Sequence, residues 1–167
     1  MGDQVTTGKV LSDTFATARQ LTGYYLSKLK ETNPHIRHSI NGVELNSTYW
    51  IVAHLIWAED FLLLRALGHP GTGIEWLDQF KVGSDPKDVT LDIPFTDLLG
   101  LQKEVHQTTM AHLASMTEEQ FAEENTLGIN FGNETGKRYL AMHGIRHEAT
   151  HTGHLGIIAK IEGGKTI

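Results

Sequence analysis

The stretch Asn46–Gly68, "NSTYWIVAHLIWAEDFLLLRALG", decides the fold. It opens on Asn46 or Ser47 as an N-cap and closes on Gly68 as a stop, so it reads as one long helix. Strongly apolar along its length, it belongs at the centre of the molecule. One residue is out of character. His54 is flanked by Trp50, Ile51, Val52, Ala53, Leu55, Ile56 and Trp57, and an unpaired imidazole buried there would cost about 1 to 3 kcal/mol. It needs a partner, which is either a hydrogen bond within the core or a metal ion shared with other residues.

The pattern outward from this segment is helical from end to end. Before it, Phe15, Ala18, Leu21, Thr22, Tyr25, Leu26 and Leu29 recur at helical spacing, predicting helix one from about Ser12 to Thr32, followed by the polar turn "NPHIRHSING". After it, His69–Ile93 carries three turn clusters and reads as a long connection with one short helix. Helix three runs from near Pro94 or Thr96 to Ser115, Thr117 and Gln120 form a capping box for a short extra helix, and helix four spans about Thr135 to Glu162. Four main helices of this length predict an all-α four-helix bundle, with the connection between helices two and three long enough to cross it.

Length and composition narrow the function. A chain of 167 residues reads as one domain, residues 1–167, with a single core. It has no cysteine, which excludes disulfides, thiolate zinc sites and a protein thiol nucleophile. A net charge of -6 with scattered basic residues speaks against nucleic acid and anionic membranes as partners. The absence of a spanning segment and of a signal-peptide core sets a cytoplasmic location as the expectation. Met1-Gly2 with Thr6 matches a loose N-myristoylation pattern, and Asn46-Ser47-Thr48 and Asn133-Glu134-Thr135 match glycosylation acceptors; none has a supporting context, and they read as chance.

Ten histidines are present, and four of them lie on helix four: His143, His147, His151 and His154. At about 100° per residue they share an arc of roughly 80°, but His143 and His154 stand roughly 16 Å apart, so one ion must take an adjacent pair. A histidine stripe on an arbitrary helix is a solvated polar face. Here Gly144, Gly153 and Gly156 interrupt the helix, each at a cost of about 1 kcal/mol against alanine, which suits close approach of another helix or a ligand. Adding His54 to His147 and His151 makes three neutral imidazoles from two helices, the donor set of a catalytic zinc-type site that keeps an open position. Imidazole suits nickel, iron and copper as well.

His147-Glu148-Ala149-Thr150-His151 also matches the H-E-x-x-H pattern of zinc peptidases. Its surroundings do not continue the match. The metzincin extension requires Gly and His where His154 and Ile157 stand, and Glu162 is too far along the same helix to be a thermolysin-like third ligand. Glu148 is the obvious nearby base, but it points about 100° away from His147 and reads equally as a solvent-facing or helix-pairing carboxylate. Glu59 and Asp60 read as surface carboxylates or as groups beside the site.

The segments "NSTYWIVAHLIWAED" and "HEATHTGHLGIIAKIEG" together resemble the DinB/YfiT-like family of metal-dependent enzymes over nearly the whole chain. The resemblance implies His54, His147 and His151 as ligands of a divalent transition metal, zinc or nickel, in a bundle of up-down-down-up order that is commonly a homodimer. It also implies activation of a low-molecular-weight thiol, as in S-transferases and a thiol-dependent maleylpyruvate isomerase, or of water in a hydrolase, acting on a small-molecule substrate. A borrowed thiol fits a chain without cysteine. The alternative is a metal- or ligand-binding bundle without turnover. His154 stands where the family commonly has Gln, which makes it the candidate hydrogen-bonding neighbour of the ligands, and one that can titrate or compete as a ligand.

Overall fold

A computed structural model describes residues 5–91 and 93–165; Met1 and Gly2, and with them the N-myristoylation pattern, lie outside the described residues. The fold is all-α. Helix α1 spans Thr7–Lys28, capped by the Thr6 side chain, which accepts from Lys9 N at 3.2 Å. It begins five residues before the expected Ser12 and ends four before Thr32, because Thr6 provides the cap and Leu29 closes the last turn.

Helix α2 spans Thr48–Ala58, and all of its residues are buried. A helix apolar on every side sits where other elements cover it all round. Ser47 caps it, accepting from Trp50 N at 3.2 Å. It does not continue as a regular α-helix to Gly68. Residues Glu59–Leu64 form a π-helical turn and Arg65–Leu67 a 3-10 turn, before Gly68 stops the segment at φ 100°. The wider turn shifts the helical phase, and Glu59, Asp60 and Leu62, Leu63 and Leu64 are all buried as a result.

Two further departures are local. The polar turn holds a small hairpin, β1 (Ser39–Ile40) against β2 (Val43–Glu44), whose corner residues Asn41 and Gly42 have φ of 50° and 79°. Asn-Gly at such a corner is a strong hairpin signal, outweighed in the sequence by the helical pattern around it. The connection beyond Gly68 holds two short 3-10 helices, Glu75–Phe80 and Pro86–Asp88, where one was expected.

Helix α3 is Phe95–Ser115, α4 is Glu118–Ala122 with the expected Thr117–Gln120 capping box, and α5 is Lys137–Ile161. Both α1 and α2 pack against α3 and α5. Two of the three helix-four glycines explain themselves here. A Cβ at Gly144 would stand 2.5 Å from Leu63 Cδ2, and one at Gly156 would stand 3.0 Å from Tyr25 Cζ. Gly153 is different: among the described residues nothing lies within 4 Å of the same position.

Gly144→Ala is therefore expected to lower stability by about 1 to 3 kcal/mol, since Leu63 is locked in the core. Gly153→Ala is expected to raise it by up to about 1 kcal/mol through helix propensity alone. Urea unfolding of the two variants beside the wild type gives the comparison.

Candidate metal centre

Helix α2 delivers His54 into the core between two tryptophans: Trp50 stacks on its ring at 4.7 Å and 12°, Trp57 at 5.6 Å and 23°. Residues four before and three after lie on the same side of a helix, so the sandwich follows from the sequence W-x-x-x-H-x-x-W. The Phe80 carbonyl, at the end of the 3-10 helix Glu75–Phe80, accepts a hydrogen bond from His54 Nδ1 at 2.6 Å. That bond places the proton of the neutral ring on Nδ1 and leaves Nε2 as a bare lone pair.

Helix α5 brings His147 and His151 to meet it. Their ring centroids lie 5.0 and 4.7 Å from that of His54, and the three residues each offer a nitrogen within 4.8 Å of the others. They are the one group of histidine and carboxylate side chains among the described residues arranged to hold an ion. His54 Nε2 and His147 Nε2 are 3.2 Å apart, against roughly 3.3 Å for two nitrogens bound tetrahedrally to one zinc-sized ion at 2.0–2.1 Å.

The charge state also suits a metal. Burial pushes the His54 pKa below its ordinary value, partly offset by the Phe80 carbonyl. Burial, and then the neighbouring His54, His143 and His154, lower His147 to about 4; burial, and then His147, His54 and His154, lower His151 to about 3. All three are neutral at pH 7, the form that binds a metal.

The remaining two histidines of α5 flank this group without joining it. His154 is exposed and its Nδ1 lies 3.3 Å from His151 Nδ1, which makes it a hydrogen-bonding neighbour of that ring. His143 stacks on Phe131 at 4.2 Å, and its Nδ1 lies 2.7 Å from Arg146 Nη2.

The carboxylates correct the sequence reading. Glu148 is neither solvent-facing nor paired along its own helix; it is 2% exposed and bound across the core to α1. Its Oε1 meets Arg19 Nε at 2.8 Å and accepts from Thr22 Oγ1 at 2.5 Å, and its Oε2 accepts from Arg19 Nη2 at 3.2 Å. Glu59, expected at the surface or beside the site, accepts from the same Arg19 Nη2 at 2.6 Å and meets His106 Nδ1 at 3.3 Å. Asp60 is also buried, accepting from Thr72 N at 2.6 Å. Burial opposes the charge on Glu59, but Arg19 and His106 outweigh it and hold the carboxyl below its usual range. Burial likewise opposes the charge on Arg19, and the two glutamates outweigh that and raise its pKa. A glutamate engaged in this way is not available as the base of an H-E-x-x-H peptidase.

The helical fold and the three-histidine cluster define the class: the chain fits a metal-binding helical protein. It belongs to the DinB superfamily, whose sequence profile matches residues 14–155. That span takes in His54, His147, His151 and His154. No curated protein matches the chain.

Two outcomes are expected from this geometry. In the metal-free protein the unfolded chain titrates its histidines near the ordinary 6.5 while the native His147 and His151 stay neutral down to about 4 and 3. Below pH 6.5 the unfolded state therefore binds more protons, and stability falls as pH drops, levelling off near the native values. Urea midpoints in chelator from pH 7 to 4 should show this slope, flattened in a His147→Gln, His151→Gln double variant. Arg19→Met should cost about 3–5 kcal/mol in the same assay at pH 7, because it leaves two buried carboxylates facing each other.

Proposed function

We propose that this chain is a metal-dependent enzyme in which His54, His147 and His151 hold one divalent transition ion, zinc or nickel. Its reaction is the activation of a low-molecular-weight thiol for S-transfer, or of water for hydrolysis, toward a small-molecule substrate. The observation that carries this reading is the convergence of three neutral imidazoles from two helices, one of them with its outer nitrogen already held by the Phe80 carbonyl. A divalent ion in such a site acts as a Lewis acid that lowers the pKa of a thiol or water.

The protein's own residues do the positioning. Phe80 and the two tryptophans fix the plane and tautomer of His54 and keep water from both faces of its ring. His154 orients His151 through their facing Nδ1 atoms. The half-buried rings of His147 and His151 leave a side through which a small molecule enters. Without a cysteine the chain takes its thiol from solution.

The architecture we infer is a single-domain four-helix bundle of up-down-down-up order. Its support is that α1 and α2 each pack on both α3 and α5, which sets α1 opposite α2 and α3 opposite α5. We infer a cytoplasmic homodimer that binds neither nucleic acid nor membrane. The acidic charge supports the exclusion of nucleic acid and anionic membrane surfaces; no described helix is long and apolar enough to cross a membrane.

Elemental analysis of tag-free wild type beside His54→Ala tests the site. The expected result is near one metal per wild-type chain and markedly less in the variant, since losing a ligand should cost at least the roughly 10–100-fold in affinity that losing a partner of a ligand costs. Equal metal content in both would reject His54 as a ligand. Screening thiols with electrophiles, and hydrolysable esters and amides, then tests the activity. Tight metal retention with no turnover in any metal form would leave a binding protein in place of an enzyme.

A further inference from the structure

We propose that His143 is a ligand-binding residue of the three-histidine centre, donating its Nε2–H to a small anion seated beside His147. The inference rests on the metal-site reading above and adds the chemistry of what that site accepts.

The tautomer of His143 is set by its neighbour. Arg146 Nη2 stands 2.7 Å from His143 Nδ1, and a guanidinium has donors and no acceptor. The Nδ1 must therefore accept, and the single proton of the neutral ring sits on Nε2. A protonated ring would set N–H against N–H, and both burial and Arg146 hold the pKa of His143 below its ordinary value. No described residue hydrogen-bonds that Nε2–H.

The ring is also restrained in place. His143 lies four residues before His147, one turn up the same face of α5 and roughly 6 Å along the axis. Its ring centroid is 6.4 Å from that of His147. Stacking on Phe131, at 4.2 Å and 21°, restrains the ring plane. Phe131 is itself held by a two-residue turn, with Phe131 N on Glu134 O at 3.0 Å, Glu134 N on Phe131 O at 3.2 Å, and Gly132 and Asn133 at φ 61° and 80°. The ring as a whole is half-buried.

What this edge recognises follows from its polarity. His143 presents an N–H, Arg146 presents N–H groups, and neither presents an acceptor, so a carboxylate or thiolate is favoured and a cation is not. A histidine used only to cover Phe131 would need the ring and not the proton.

The test uses the whole chain loaded with cobalt, and azide as the anion, followed by visible absorption. His143→Phe keeps the stack on Phe131 and removes the donor; His143→Gln keeps a donor on a different frame. The expected result is unchanged cobalt stoichiometry in both, azide affinity lowered roughly tenfold or more in His143→Phe, and a smaller loss in His143→Gln. Equal azide affinity in wild type and His143→Phe would overturn the role of His143 and leave the metal site standing. Loss of cobalt from His143→Phe and His143→Gln alike would make His143 a metal ligand and overturn the assignment. Failure of the wild type to take up cobalt would overturn the metal-site reading and this inference together.

Discussion

The hydrogen bond from His54 Nδ1 to the Phe80 carbonyl links the core of this protein to its chemistry. Every residue of α2 is buried, so the ring nitrogens of His54 must find their partners within the protein. One nitrogen is met by the backbone at the end of a 3-10 helix and the other faces α5. The pairing that removes a buried, unsatisfied donor also leaves one lone pair facing two further histidines. The long connection between α2 and α3 is thereby part of the site, although none of its side chains belongs to the histidine cluster.

A second buried polar system lies alongside. Arg19 from α1 stands between Glu59 on the π-turn and Glu148 on α5, with His106 of α3 against Glu59. These charges tie together elements far apart in the chain, and their arrangement depends on the wider turn after Ala58. Neighbouring residues of α5 therefore serve different ends: His147 and His151 point to the cluster, Glu148 and Thr152 to the interior. Thr152 stands 2.6 Å from Thr22 and accordingly shares that inner face.

The three histidines of the candidate cluster were legible in the sequence. His54 was identifiable because an imidazole inside an unbroken apolar run demands a partner, and His147 and His151 because a four-residue interval places them on one face. What escaped was what sequence spacing does not encode. Nothing in "AEDFLLL" marks a π-turn, since no glycine or proline breaks it, and the burial of Glu59 and Glu148 was not legible because their partner Arg19 is distant in the chain. The Phe80 carbonyl had no signal at all, being backbone. The Asn41-Gly42 hairpin did carry one, which the prevailing helical pattern overrode. Of the glycines read as making room for another helix or a ligand, Gly144 and Gly156 meet Leu63 and Tyr25, while no described residue approaches Gly153.

That His54 is oriented by a carbonyl has an evolutionary corollary. A main-chain oxygen is present whatever amino acid occupies position 80, so point substitution there cannot delete the acceptor, in contrast to a side-chain partner such as His154. The path of the segment is what matters. Glu75–Phe80 is held to α2 by Asp78, which accepts from Trp57 Nε1 at 3.2 Å, and by the fully buried Phe80 ring. Insertions and deletions that slide this segment along α2 are thus the changes most damaging to the centre, and the composition of its solvent-facing residues is free to drift.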